Sequence, residues 1–131
     1  MNFGEAIHLK LNMAGCDRNI LADLSRIKQF LDTTPEFIDM TLIKESDPIW
    51  YVDSNPLFSG ITGVSILATS HISAHTFPAK GFCYVDIFSC CSFSVEDALC
   101  MTLDYFEPKV HKYWVTDRSD YFNWDLEKES I

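Results

Sequence analysis

The sequence predicts an α+β fold: a two-layer sandwich in which two helices pack on one face of a mainly antiparallel sheet. Three observations predict it. Apolar and polar residues alternate over 6–13 and again over 81–89, the period of a half-buried strand. Apolar residues recur at helical spacing over 20–31 and 95–106. The two helical stretches are separated by a run of strands instead of alternating with them one by one. The order reads strand, helix, four strands, helix, strand, as a single domain over 1–131.

In the first strand Ile7, Leu9, Leu11 and Met13 alternate with His8, Lys10 and Asn12. Gly15 ends it. Asp17 is placed to cap the next helix by accepting backbone N–H bonds, and Ile20, Leu21, Leu24, Ile27, Phe30 and Leu31 form that helix's apolar stripe. Thr34-Pro35 should stop it. Residues 37–44 alternate again and predict a second strand. Residues 45–60 hold Pro48, Asn55, Pro56 and Gly60 and read as a long loop. Its aromatics, Trp50, Tyr51 and Phe58, either tuck onto the core edge or line a pocket. A short apolar strand over 63–68, a polar but extended stretch over 70–76 and a strand over 81–89 follow. Ser94-Val95-Glu96-Asp97 resembles a capping box and starts the second helix. Val95, Leu99, Thr102, Leu103 and Phe106 are its buried stripe, and Pro108 closes it. Residues 110–116 give the last strand; the charged and aromatic tail from Asp117 carries no assignment.

Composition narrows the function classes. Hydrophobic residues make up 47% and charged residues 22%, as in a globular protein. No apolar run approaches the roughly 20 residues needed to span a bilayer. Residues 1–5 carry no basic segment leading into an apolar one, so no signal peptide is expected. The net charge of −9 argues against nucleic acid and anionic membranes as partners, and weakly favours a cationic substrate. The five cysteines are odd in number and contain no C-x-x-C pair, which argues against a disulfide scaffold or a cysteine-based zinc site. A cytoplasmic location follows as an expectation.

The most unusual stretch is 69–76, with two serines, two threonines and two histidines in eight residues. In an extended strand His71, Ser73 and His75 share one face. From residue types alone, this is either a catalytic cluster or a structural hydrogen-bond network, because unpaired buried polar groups cost about 1–3 kcal/mol each. A Ser–His hydrolase reading lacks a G-x-S-x-G elbow. A His-x-x-x-His zinc reading has a spacing that suits a helix instead.

Ser70-His71-Ile72-Ser73-Ala74-His75-Thr76-Phe77-Pro78, then Gly81-Phe82, then Val85-Asp86-Ile87-Phe88-Ser89-Cys90 resembles the core motif of bacterial and archaeal S-adenosylmethionine decarboxylases. That motif reads approximately S-H-x-S-x-H-T-W-P-E, a short G-Y/F turn, then x-D-x-F-T-C. Thr62-Gly63-Val64-Ser65 resembles the family's S-G-V-x strand, and order and spacing match from Thr62 to Cys90 without a gap.

The resemblance implies a self-processing decarboxylase of polyamine synthesis. Ser70 would attack the carbonyl of Thr69, an N-to-O acyl shift would give an ester, and β-elimination would cut the chain. The cut leaves 1–69 as one chain and 70–131 as the other, with Ser70 converted to a pyruvoyl cofactor and no metal. That ketone captures an amine-bearing substrate as a Schiff base. By the same resemblance His75 transfers protons during processing, Thr62 donates a hydrogen bond there, and Cys90 protonates the decarboxylated carbon. Phe77, in place of the family's tryptophan, and Phe58 are candidates for substrate contact. Asp86 stands at the family's acid position. A homodimer is the implied assembly.

Two positions depart from the motif. Thr69 stands where the family has glutamate, and its branched side chain crowds the carbonyl to be attacked. Ala79 stands where the family has the glutamate that holds the ribose hydroxyls, so another acid, from 45–60, would have to take that part. Ornithine or arginine is therefore an alternative substrate. A homologue that no longer cleaves and serves as a partner subunit is the alternative outside catalysis.

Overall fold

The computed structural model describes residues 6–119. Residues 1–5, read above for a leader, and the unassigned tail from 120 onward lie outside them. The strands are β1 (Ile7–Ala14), β2 (Leu42–Lys44), β3 (Ile49–Tyr51), β4 (Gly60–Leu67), β5 (Ser70–Phe77), β6 (Phe82–Ser89) and β7 (Val110–Asp117). The helices are α1 (Arg18–Leu21), α2 (Leu24–Phe37) and α3 (Val95–Phe106), with a 3-10 turn at Pro56–Phe58. One antiparallel sheet runs β2-β4-β5-β6-β1-β7, and β3 also pairs with β4. Thr62 pairs with His75 of β5 and with Ile49 of β3, so β2 and β3 follow one another along the outer side of β4.

Strand alternation sorts the sheet into two faces. Ile7, Leu9, Leu11 and Met13 of β1, Ile72, Ala74 and Thr76 of β5, and Cys83, Val85 and Ile87 of β6 are buried. They meet Ile27, Phe30 and Leu31 of α2 and Ala98 and Phe106 of α3. The Phe30 and Phe106 rings stand edge to face, 5.0 Å between centroids. Each such fully buried side chain contributes roughly 1.5–3 kcal/mol by leaving water. Among the described residues the other face carries no helix. Val64, Ile66, Phe82, Tyr84 and Trp114 lie there, each 38–58% exposed.

The two-layer α+β architecture holds, while four expectations about its elements are corrected. The first helix is two pieces, because Asp23 supplies a second N-cap, accepting from the Arg26 amide at 3.1 Å. Asp17 caps α1 as expected, accepting from Asn19. Pro35 does not stop α2, which runs on to Phe37. Proline removes the amide that would bond the Leu31 carbonyl, but the Ser65 hydroxyl of β4 donates to that carbonyl instead, at 2.5 Å and fully buried. Of the strand expected over 37–44 only Leu42–Lys44 is extended. Ile38 and Met40 are buried in the turn that leaves the helix, where Asp39 takes a left-handed φ of 60°. The expected loop 45–60 contains β3 and the 3-10 turn, so Trp50 and Tyr51 sit on a strand.

Helix α2 lies close on β4 because Gly63 has no side chain. A Cβ there would stand 2.5 Å from Leu31 Cδ1. Gly60 is tighter still: a Cβ would meet the Thr76 carbonyl oxygen at 1.7 Å. The entry to the 45–60 segment is tied to α2 by Asp32, which accepts from Lys28 at 2.8 Å and from the Ser46 amide at 2.7 Å.

Candidate active site

β4 and β5 are joined by a two-residue hairpin, Ala68-Thr69, directly ahead of Ser70. Thr69 has φ of +64°, a left-handed conformation that β-branched residues rarely adopt. Such a backbone stores about 1–3 kcal/mol and persists only where its surroundings hold it. The Cys90 amide holds it here, donating to the Thr69 carbonyl at 2.9 Å, while the Thr69 hydroxyl donates to the Ala68 carbonyl and lies 3.8 Å from Cys91 Sγ.

Ser70 opens β5. Its position shares the parity of Ile72, so it lies on the helix side, opposite Ser89 of β6 and Leu67 of β4. The half-buried Ser70 hydroxyl donates to Ser89 Oγ at 2.7 Å. Cys90 and Cys91 follow β6 and are exposed. Cys16 and Cys83, in contrast, are buried, and burial pushes the Cys16 thiol up to about 11. Burial, then the neighbouring Cys16, raises Cys83 well above its ordinary value. Both stay protonated thiols of the core, which leaves Cys90 and Cys91 as the sulfurs beside the Ser70 end of the sheet.

Thr62 and His75 form a second cluster. They are register partners on the face without helices, with Thr62 Oγ1 3.1 Å from His75 Nδ1. His71 and Ser73 share that face, as alternation predicts. The cluster is not beside Ser70 within one chain. His75 stands five residue steps along β5 from Ser70, about 16 Å at 3.3 Å each, and the two side chains lie on opposite faces. The structure therefore divides the residues singled out from the sequence into two groups: Thr69, Ser70 and Cys90 at the hairpin end, and Thr62 and His75 on the uncovered face.

Phe77 and Phe58 come together, through a residue the sequence reading missed. Lys80 Nζ lies 4.5 Å from the Phe58 ring centre and 5.6 Å from that of Phe77. Tyr84 meets Phe77 edge-on at 5.9 Å. Ala79 is exposed beside them. Of the acids in 45–60, Glu45 pairs with Lys28 at 3.7 Å, and Asp53 accepts from Tyr51 Oη and the Asn55 amide. The bond from the Asn55 amide, then that from Tyr51, holds the Asp53 carboxyl below its usual range. Asp86 accepts from His8 Nε2 at 3.0 Å on the uncovered face. Among the described residues no group of three or more His, Cys, Asp or Glu is disposed to hold a metal ion. No helix there is long and apolar enough to cross a membrane. Ser89 was also missed; its own signal was only its place next to Cys90.

Comparison with known proteins shows the family. Residues 7–119 match the family described as S-adenosylmethionine decarboxylase. The S-adenosylmethionine decarboxylase proenzyme of Archaeoglobus fulgidus is 33% identical over 110 residues, covering 77% of this chain and 96% of that one. The proenzyme of the same description from Thermodesulfovibrio yellowstonii is 34% identical over 104 residues, covering 79% and 73%. The crystal structure of the adenosylmethionine decarboxylase from Aquifex aeolicus superposes with a TM-score of 0.73 at 24% identity, over 89% of this chain and 92% of that one, and shows the shared fold. The chain, matched over 113 consecutive residues and by relatives of nearly its own extent, belongs to the S-adenosylmethionine decarboxylase family.

Proposed function

We propose that the protein is a self-processing, pyruvoyl-dependent S-adenosylmethionine decarboxylase of polyamine synthesis, acting in the cytoplasm as a homodimer of one domain spanning 1–131. The observation that carries the reading is the Thr69–Ser70 junction. A strained left-handed residue precedes the serine, and a backbone amide already donates to the carbonyl to be attacked. That N–H sits where negative charge would develop on the Thr69 oxygen, as an oxyanion donor must.

The processing chemistry balances on the chain's own atoms. Ser70 Oγ bonds to the Thr69 carbonyl carbon, the Thr69–Ser70 amide breaks, and the proton lost from oxygen is matched by one gained at nitrogen. Elimination then removes the Ser70 Cα proton and breaks the Cβ–Oγ bond, freeing the Thr69 carboxylate. Water replaces the nitrogen as ammonia, and a pyruvoyl group remains at residue 70. The junction suits it: Ser70 is half-buried at a strand end, with Cys90 beside it and, among the described residues, no charged side chain hydrogen-bonded to it. When present, the group supplies an electron sink for loss of carbon dioxide from an amine-bearing substrate.

His75, held by Thr62, serves as the proton carrier of processing, and Cys90 as the later proton donor. About 16 Å separates His75 from Ser70 in one chain, so the reading requires a second copy. Two sheets packed on their uncovered faces about a two-fold axis between the two places would bring each His75–Thr62 pair to the backbone of the partner's Thr69–Ser70 junction, which lies at the sheet end and is reached from that face although the Ser70 side chain points to the other. The apolar residues on that face support such a contact.

Phe77 and Phe58 form the substrate wall, with Asp53 the acid nearest in sequence to Phe58. Exposed Ala79, which has no acceptor for ribose hydroxyls, favours a second reading, in which the substrate is ornithine or arginine instead of an adenosyl compound, while the Lys80 ammonium beside the rings opposes it by repelling a cationic side chain. Mass spectrometry of the purified protein tests processing: fragments 1–69 and 70–131, the latter with a borohydride-reducible carbonyl, are expected. An intact chain with no such carbonyl refutes the reading and leaves a partner subunit as the role. Carbon dioxide release from labelled S-adenosylmethionine, ornithine and arginine, side by side, decides the substrate.

A further inference from the structure

The Ser89 hydroxyl is buried and doubly hydrogen-bonded. Its residue is 2% exposed, at the end of β6, opposite Ser70 and Ile7. Its oxygen accepts two hydrogen bonds, from the Ser70 hydroxyl at 2.7 Å and from the Cys91 amide at 3.0 Å. The second bond closes a tight turn over Cys90, and inside that turn the Cys90 amide points at the Thr69 carbonyl, 2.9 Å away. One buried oxygen thus touches the nucleophile directly and fixes the turn that carries the oxyanion donor. A strand-end serine with a structural role alone needs only the Cys91 bond.

Resting on the self-processing reading, we propose that Ser89 is a positioning residue for the acyl shift. It orients Ser70 Oγ by taking its proton into a hydrogen bond, and through the Cys91 turn it sets the Cys90 amide against the carbonyl that Oγ attacks. In that step the Oγ–carbonyl carbon bond forms, the carbon–nitrogen bond breaks, and one proton moves from oxygen to nitrogen. Ser89 is unchanged at the end. It acts before the ester exists, and removing it blocks the shift and not the elimination.

The test follows cleavage of freshly made precursor by mass spectrometry, with and without hydroxylamine, which cuts the ester but not the amide. For Ser89→Ala, fragments should appear about tenfold more slowly or worse, as loss of orientation predicts. The uncut chain should resist hydroxylamine. Ser89→Thr keeps the hydroxyl and should restore the rate to within a few-fold. Ser89→Cys keeps the volume but loses the strong acceptor; it should be as slow as alanine and reports the effect if Ser89→Ala melts early. Cleavage of Ser89→Ala and Ser89→Cys at the wild-type rate overturns the proposal. So does a build-up of hydroxylamine-sensitive chain, which would put the defect in elimination. A wild-type chain that stays whole refutes self-processing itself, which separates the two failures.

Discussion

A mixed dimer tests whether two chains build each active site. The perturbation pairs a Ser70→Ala chain, which has no nucleophile, with a His75→Ala chain, which has no proton carrier. His75 and Ser70 of one chain are about 16 Å apart along β5 and on opposite faces. Proton transfer needs about 3 Å, so His75 cannot serve its own Ser70 without rebuilding the strand. Co-refolded in equal amounts, random pairing makes about half of the dimers mixed. In each mixed dimer the His75→Ala chain keeps a Thr69–Ser70 junction whose backbone meets an intact His75 from the other chain. About half of the His75→Ala chains should therefore be cut, and the Ser70→Ala chains not at all. Tags of different mass let the fragments be counted by mass spectrometry. No increase over the His75→Ala protein alone would refute the shared site. Cutting of that protein alone at the wild-type rate would remove His75 from processing.

Ser65→Ala leaves the buried Leu31 carbonyl without the donor that replaces the Pro35 amide, and should cost about 1–3 kcal/mol, read from urea unfolding; an unchanged midpoint would show that α2 does not depend on that bond. Burial pushes the Asp32 carboxyl up, but bonds from Lys28 and Ser46 outweigh it and hold it below its usual value. A depressed folded value gives stability that is present above about 3.8 and lost as pH falls through the folded value. Asp32→Asn should therefore flatten the acid end of the stability–pH curve, and an identical acid slope would contradict this. Iodoacetamide at pH 8 should leave Cys16 and Cys83 unmodified in the native protein and label both after unfolding, since both are buried and kept protonated; labelling of either at the rate of Cys100 would show that the core opens.

The sheet was legible because alternation fixes faces. His71, Ser73 and His75 share one face as expected, and the same parity puts Ser70 with Ile72 on the other. That separation of Ser70 from His75 was thus already contained in the pattern. Pro35 misled because its missing amide is compensated by Ser65, thirty residues away, and no local rule reports a distant donor. β3 was hidden because its three exposed residues show no burial pattern and pair only through the backbone. Lys80 and Ser89 gained their places from tertiary contacts: one from rings brought together across a turn, the other from a cross-strand partner.

The strand order also decides what a cut at residue 69 would do to the molecule. The first piece would keep β1 to β4 and the second β5 to β7. β1 lies between β6 and β7, so the first piece is threaded through the second like a finger through a clasp. Parting the halves would mean tearing three ladders at once: β4 from β5, β6 from β1, and β1 from β7. The severed bond closes a loop of only two residues, whose contribution to holding the sheet is small beside those ladders. Residue 70 would gain a free chain end while the scaffold around it stayed in one body.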